Sequence, residues 1–170
     1  PGTRVTKTTY DGLTTPVERN YNPAALTDFL KAVTVVNAMG WTVQSSQYLD
    51  TAAKTITRKY DPYGNLRFVT DPANNTTELR YDVRGNKTWM SEPNSGSSTF
   101  TYNGFGEIKT QTNNANQTVS LSYDKLGRVL TRTEPEGVTT FEYDSAAQGI
   151  GQLARESSGD FVRSYFYDHL

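Results

Sequence analysis

The side chains in this sequence with the chemistry for catalysis are few. Aspartates follow tyrosines at Asp61, Asp82, Asp124, Asp144 and Asp168, and the single histidine is His169. Two carboxyls flanking one bond are the equipment of glycoside hydrolysis. Each of these aspartates stands in the same Tyr-Asp context, however, and a residue used identically in every copy of a pattern is expected to be structural. His169 sits at the end of the chain, and Ser157-Ser158-Gly159 has no partner base to activate a hydroxyl. Without cysteine, disulfides, Cys-ligated zinc and Cys nucleophiles are excluded. One histidine makes a transition-metal site an unpromising reading as well. The expectation is no catalytic residue, no cofactor and no metal.

What the aspartates share is a repeat. Tyr60-Asp61-Pro62-Tyr63-Gly64-Asn65-Leu66 is followed by Tyr81-Asp82-Val83-Arg84-Gly85-Asn86-Lys87, Tyr102-Asn103-Gly104-Phe105-Gly106-Glu107-Ile108 and Tyr123-Asp124-Lys125-Leu126-Gly127-Arg128-Val129. The leading tyrosines are 21 residues apart; Tyr143-Asp144 comes 20 residues later and Tyr167-Asp168 another 24. A period of this length marks a repeat architecture. Asp or Asn opening a type I turn accepts backbone N–H groups two residues on, and Gly64, Gly85, Gly106 and Gly127 suit the left-handed position that follows.

The flanking residues read as strands. Leu79, Phe100, Leu121, Phe141 and Tyr165 stand two before their tyrosines, hence on the same face. Arg80, Thr101, Ser122 and Glu142 between them point to the other side. Outgoing strands are expected to end at Asp71-Pro72, Glu92-Pro93 and Glu134-Pro135, because proline cannot donate to a ladder. Asn74-Asn75, Asn94-Ser95-Gly96, Asn114-Ala115-Asn116 and Glu136-Gly137 then turn the chain back. The expected fold class is all-β: a curled antiparallel ribbon of hairpins, since strands twist with a fixed hand.

Composition agrees. Hydrophobic residues make up 35%, with 25 threonines and 11 tyrosines, as suits a thin, two-sided sheet rather than a thick core. A net charge of −1 with no basic stretch argues against nucleic acid as partner. No run of 18 apolar residues is present, and no signal peptide is visible. A chain opening on Pro1 and stopping two residues after Tyr167-Asp168 reads as an excerpt.

Residues 1–54 read as divergent or irregular repeats and 55–170 as regular ones, truncated at the C-terminus. In the first part a turn is expected at Tyr10-Asp11-Gly12-Leu13, with a strand from Thr14 to Arg19. A helical turn or loop near 22–29, a strand at 31–36 and a turn at Asn37-Ala38-Met39-Gly40 follow. Trp41-Thr42-Val43 begins the outgoing strand.

The tandem Tyr-Asp-x-x-Gly units, with Asp/Glu-Pro about ten residues beyond the tyrosine, resemble the YD repeats of Rhs proteins. That family includes the B and C components of bacterial Tc toxins and the related repeats of teneurins. The resemblance covers nearly the whole chain and is strongest over 56–145. It implies a β-ribbon spiralling into a hollow shell, which in Rhs and Tc toxins encloses a C-terminal toxic polypeptide until delivery. The implied partners are that enclosed toxin or effector and the remaining shell repeats. The implied setting is a secreted, exported or cell-surface protein. Asp61-Pro62-Tyr63-Gly64-Asn65-Leu66 approaches the Asp-Pro-x-Gly-Leu of the family's self-cleavage segment, but Asn65 interrupts it and it lies mid-array, so an ordinary turn is expected.

The structural motif is therefore carried by Tyr60, Asp61, Gly64, Tyr81, Asp82, Gly85, Tyr102, Gly106, Tyr123, Asp124, Gly127, Tyr143 and Asp144. Trp41, Trp89, Tyr63 and Phe105 fall near turns. They are expected either to pack between strands of a shell wall or, in a cell-surface adhesion module, to stack on carbohydrate or meet a receptor.

Overall fold

The computed structural model describes residues 6–8, 14–20, 29–49 and 52–168, with side chains for 32–48 and 53–168. Every helix or strand element among them is a β-strand. In order they are β1 (Thr6–Thr8), β2 (Thr14–Asn20), β3 (Phe29–Val36), β4 (Thr42–Leu49), β5 (Ala52–Tyr60), β6 (Leu66–Thr70) and β7 (Thr76–Tyr81). Then come β8 (Lys87–Glu92), β9 (Gly96–Tyr102), β10 (Ile108–Thr112), β11 (Thr118–Tyr123) and β12 (Val129–Glu134). β13 (Gly137–Tyr143), β14 (Leu153–Ser158) and β15 (Phe161–Ser164) complete the series. The turn expected over 10–13 and most of the helical turn expected over 22–29 lie outside the described residues. The strand expected at 31–36 is β3, which starts at Phe29.

Two compact units divide the chain. The first ends at Arg80 and takes in Ser91–Asn94; the second comprises Tyr81–Met90 and the chain from Ser95. In the first, β1 to β7 pair antiparallel in sequence order. In the second, β9 to β15 do the same. β8 contributes residues to both units. Strands β6, β8 and β12 stop at Thr70, Glu92 and Glu134, at or just before the Asp/Glu-Pro steps. The missing proline N–H ends the ladder there.

A regular bulge accompanies the pattern. Lys59 faces Phe68 but Tyr60 faces Leu66, which leaves Arg67 as the extra residue. The same shift leaves Val43, Lys109, Leu130 and Ala154 extra. Each stands three residues after a glycine of the preceding loop. A bulge bends the strand and strengthens its right-handed twist. The hairpins closed at the other end have continuous registers, so the distortion is confined to the Tyr-Asp side.

The two faces differ in chemistry. On one, hydroxyls meet across neighbouring strands. Thr101 pairs with Thr110 at 2.5 Å, Ser122 with Thr131 at 2.6 Å, Thr140 with Ser157 at 2.7 Å and Thr112 with Thr118 at 2.8 Å. The other face carries Phe100, Leu121 and Phe141 with the tyrosines. Lys87 Nζ lies 4.6 Å from the Phe100 ring centroid and the Arg128 guanidinium 4.4 Å from that of Tyr143. These are cation–π contacts.

Burial is thin. Among the described residues the only buried side chains are those of Ser46, Ala154 and Phe100, at 2%, 6% and 8% exposure, and Gly149 is the one other buried residue. Cohesion therefore rests on neighbour-to-neighbour bonds along the ribbon, as in other repeat architectures.

Candidate functional site: the Tyr-Asp loops

Asp61 opens the loop after β5. The Gly64 N–H donates to the Asp61 carbonyl at 3.1 Å, closing a type I turn, and the Asp61 N–H donates to the Asn65 carbonyl at 2.9 Å. Asp61 Oδ1 accepts the N–H groups of Tyr63 and Asn65, both at 2.9 Å, and Oδ2 accepts Asn65 Nδ2 at 3.0 Å. Asp82 makes the same set with Arg84 and Asn86. Asp124 makes it with Leu126 and Arg128, Arg128 Nε donating to Oδ2 at 2.7 Å. In the third copy Asn103 Oδ1 accepts from Phe105 and Glu107 in the same way.

In the four regular copies the first and fifth loop positions are matched as donor and acceptor. Where the first is Asp, the fifth donates: Asn65, Asn86 or Arg128. Where the first is Asn, the polarity reverses, and Asn103 Nδ2 donates to Glu107 Oε2 at 2.6 Å. A carboxylate at both positions would leave two acceptors and no donor.

Adjacent copies are tied by the tyrosines. Tyr123 Oη donates to the Ile108 carbonyl at 2.8 Å, Tyr102 Oη to that of Lys87 at 2.7 Å and Tyr60 Oη to that of Thr42 at 2.8 Å. In each case the acceptor stands two residues after the preceding glycine. Tyr123→Phe removes one such bond and leaves a half-buried carbonyl without it. A loss of about 1 kcal/mol is expected, to be read as a lower urea midpoint with an unchanged slope.

Loops also nest. A Cβ built on Gly64 would come within 2.8 Å of Trp41 Cζ2, and one on Gly127 within 2.8 Å of Glu107 Oε1. Trp41 and Glu107 are the fifth residues of the preceding loops. Gly64 has φ +90° and Gly127 φ +79°, so glycine serves both the backbone and the contact.

These hydrogen bonds set the charges. Asp61, Asp71 and Asp82 are held below the ordinary aspartate range chiefly by the side-chain amides of Asn65, Asn75 and Asn86. Asp124 is lowered first by the Arg128 N–H and Asp144 first by the Arg128 guanidinium. An unfolded aspartate titrates near about 3.9, so the folded chain binds fewer protons just below that pH. The stabilisation is present above about pH 4 and is lost as pH falls through the lower folded values. Denaturant midpoints should be flat from about pH 7 to 5 and fall below about pH 4; a midpoint constant to about pH 2.5 would contradict this. Such lowered, saturated carboxylates are poor general acids, which need a raised pKa.

The remaining candidates are dispersed. Trp41 lies against Tyr60, ring centroids 5.3 Å apart at 45°. Trp89 is half-buried in β8. Tyr63 and Phe105 are 90% and 93% exposed at the third positions of their loops. Tyr81 ends β7, and Gly85 takes the left-handed turn position with φ +83°. Gly106 does the same with φ +86°. Ser157 pairs with Thr140, Asp168 is exposed, and His169 lies outside the described residues. No cluster of three His, Cys, Asp or Glu able to hold a metal forms among the described residues. No helix among them is long and apolar enough to cross a membrane. An open groove of about 490 Å³ bounded by Gln111, Val119, Leu121, Arg132 and Glu134 includes no Tyr-Asp loop residue.

The teneurin YD-shell family matches residues 2–170. This chain belongs to that family. Its fold is similar to that of the TcdB2-TccC3 crystal structure, at TM-score 0.72 and 17% identity. The Photorhabdus luminescens Tc holotoxin pore matches at TM-score 0.68 and 17% identity. A TcdB2-TccC3 structure without its hypervariable C-terminal region matches at 0.71 and 16%. Each alignment covers 89% of this chain and 9% of the other, so the chain spans a small part of those proteins. No curated protein matches by sequence.

Within this YD-shell segment Asp144 departs from the turn expected of it. It takes φ +68° itself, and the loop runs on to Gln152, whose carbonyl accepts the Asp144 N–H at 3.1 Å. Its carboxylate receives Arg128 through both terminal nitrogens, at 3.0 and 2.8 Å, and the Gly151 N–H at 2.6 Å. The reason is spacing: the left-handed Gly151 lies seven residues after Asp144, beyond the reach of a four-residue turn. The opposite edge holds turns of the same kind that the Tyr-Asp pattern did not point to. Asp71 Oδ1 accepts from Ala73 and Asn75, and Asn113 Oδ1 from Ala115 and Gln117. Asn74 and Asn116 occupy the glycine position with φ +66° and +59°. The shared Asp/Asn-x-x-Asn spacing was the available signal.

Proposed function

We propose that this chain is a stretch of wall in a longer YD shell that encloses a C-terminal toxin or effector polypeptide until delivery from a secreted or exported protein. The carrying observation is a meander of paired strands and interlocked loops with three buried side chains among those described. Such a sheet gains its stability along the ribbon rather than by collapsing onto a core. Strands about 4.8 Å apart leave no passage for a polypeptide, so the mechanism is steric exclusion. The wall itself does no chemistry, because its carboxylates are committed to turns. Its partners are the enclosed polypeptide and the remaining repeats, with no cofactor.

A cell-surface adhesion module binding carbohydrate or a receptor is the second reading, favoured by the exposure of Tyr63 and Phe105. Limited proteolysis of the full natural protein separates the two. Enclosure predicts that the C-terminal polypeptide resists protease until the wall is unfolded. Cleavage at the unfolded rate while the wall stays folded would overturn it.

A further inference from the structure

The third Tyr-Asp loop holds a glycine that its turn does not require. Gly104 stands where the other regular copies carry Pro62, Val83 and Lys125. Its φ is not positive, and a Cβ built on it would meet nothing within 4 Å. Neither backbone nor space therefore excludes a side chain there, in contrast to Gly64 and Gly127. What Gly104 supplies is the least hindered backbone nitrogen that any residue offers, and the residue before it is Asn103. This is the one Asn-Gly step in the sequence. Gly104 is exposed, and among the described residues nothing accepts its N–H.

An asparagine in this setting can cyclise. The Gly104 nitrogen bonds to Asn103 Cγ, the Cγ–Nδ2 bond breaks, and the Gly104 proton leaves with the Nδ2 group as ammonia. Water then opens the succinimide at either carbonyl. One cut leaves aspartate; the other leaves isoaspartate, whose main chain runs through Cγ. The folded loop opposes the first step. A nitrogen attacks an amide from above its plane, and three hydrogen bonds hold that plane in position. Asn103 Oδ1 accepts the Phe105 and Glu107 N–H groups at 3.0 and 3.1 Å, and Nδ2 donates to Glu107 Oε2 at 2.6 Å. Cyclisation therefore waits for local opening of the loop.

After the reaction the loop no longer closes as before. Either product sets a second carboxylate against Glu107 with no donor between them. Glu107 Oε1 also lies 2.8 Å from the position a Cβ on Gly127 would take, so its displacement reaches the fourth loop. In the Asp copies the fifth residue is a donor, and no such conflict can arise.

We propose that Asn103–Gly104 is a covalent modification site guarded by the folded loop, and that its conversion to aspartate or isoaspartate makes opening of this one repeat irreversible. This is independent of what the wall encloses.

Peptide mapping of the full natural protein, incubated at neutral pH folded and in urea, tests the site. Position 103 should yield both products in urea and convert about tenfold or more slowly in the folded protein. Gly104→Val, which copies the second loop, should keep the turn and suppress conversion in urea. When converted chains are returned to folding conditions, the Gly106 and Gly127 amides should exchange hydrogen about tenfold or more faster than in unconverted chains. Conversion of the folded protein at the urea rate removes the guard and overturns the proposal. So does an Asn103 that survives urea unchanged, or a converted chain whose third and fourth loops exchange at the unconverted rate.

Discussion

A Gly64→Ala variant should lose about 2–5 kcal/mol of stability, from two separable causes. An L-residue held left-handed, at φ +90°, costs about 1–2 kcal/mol. The new methyl also arrives 2.8 Å from Trp41 Cζ2. That atom belongs to a rigid indole already tilted against Tyr60 at 5.3 Å, so it cannot swing aside as the tip of a flexible chain would. Overpacking of this kind adds about 1–3 kcal/mol. Gly40 provides the control, because its φ is +79° and a Cβ there meets nothing within 4 Å. Gly40→Ala should show the backbone cost alone, and the difference between the variants measures the Trp41 contact. Equal urea midpoints for both would show that the nesting of Trp41 over Gly64 contributes nothing.

The second large effect is a charge conflict. Asn103→Asp restores the Tyr-Asp sequence of the neighbouring copies and should nonetheless destabilise the chain by about 2 kcal/mol. The native Asn103 Nδ2 donates to the Glu107 carboxylate at 2.6 Å, and a hydrogen bond to a charged group contributes about 1.5–3 kcal/mol. The substitution replaces that donor with a second carboxylate. Glu107→Asn in the same chain should recover most of the loss, because it recreates the pair seen at Asp61 and Asn65. A double-mutant cycle reads the coupling directly. A coupling near zero would mean that the two positions are independent and that the matching of first and fifth residues is coincidence.

These variants also show what the sequence exposed and what it hid. The 21-residue interval, the Asp-opened turns and the Pro-terminated strands were legible because each follows from one residue type with a narrow local role. Matching of Asn103 with Glu107 was less visible, since it is a relation between two residues whose reversal looks like an irregular copy. The bulges at Arg67, Lys109 and Leu130 carry no residue signature, because almost any side chain can occupy the extra position. The contact of Trp41 with Gly64 joins loops 23 residues apart, and only the register between strands brings them together. Asp144 looked like its fellows because the deciding residue, Gly151, lies beyond the length of the pattern. The aromatics at Tyr63 and Phe105 were placed near turns from sequence. Their full exposure, in contrast to Trp41, which packs on Tyr60, needed the structure.

The most direct test of enclosure is single-particle electron microscopy of the full natural protein. A closed hollow body with this chain in its wall and density for a polypeptide inside is the predicted result. A solid body, or an open ribbon with both faces accessible to solvent, would contradict it and move carbohydrate or receptor binding to first place.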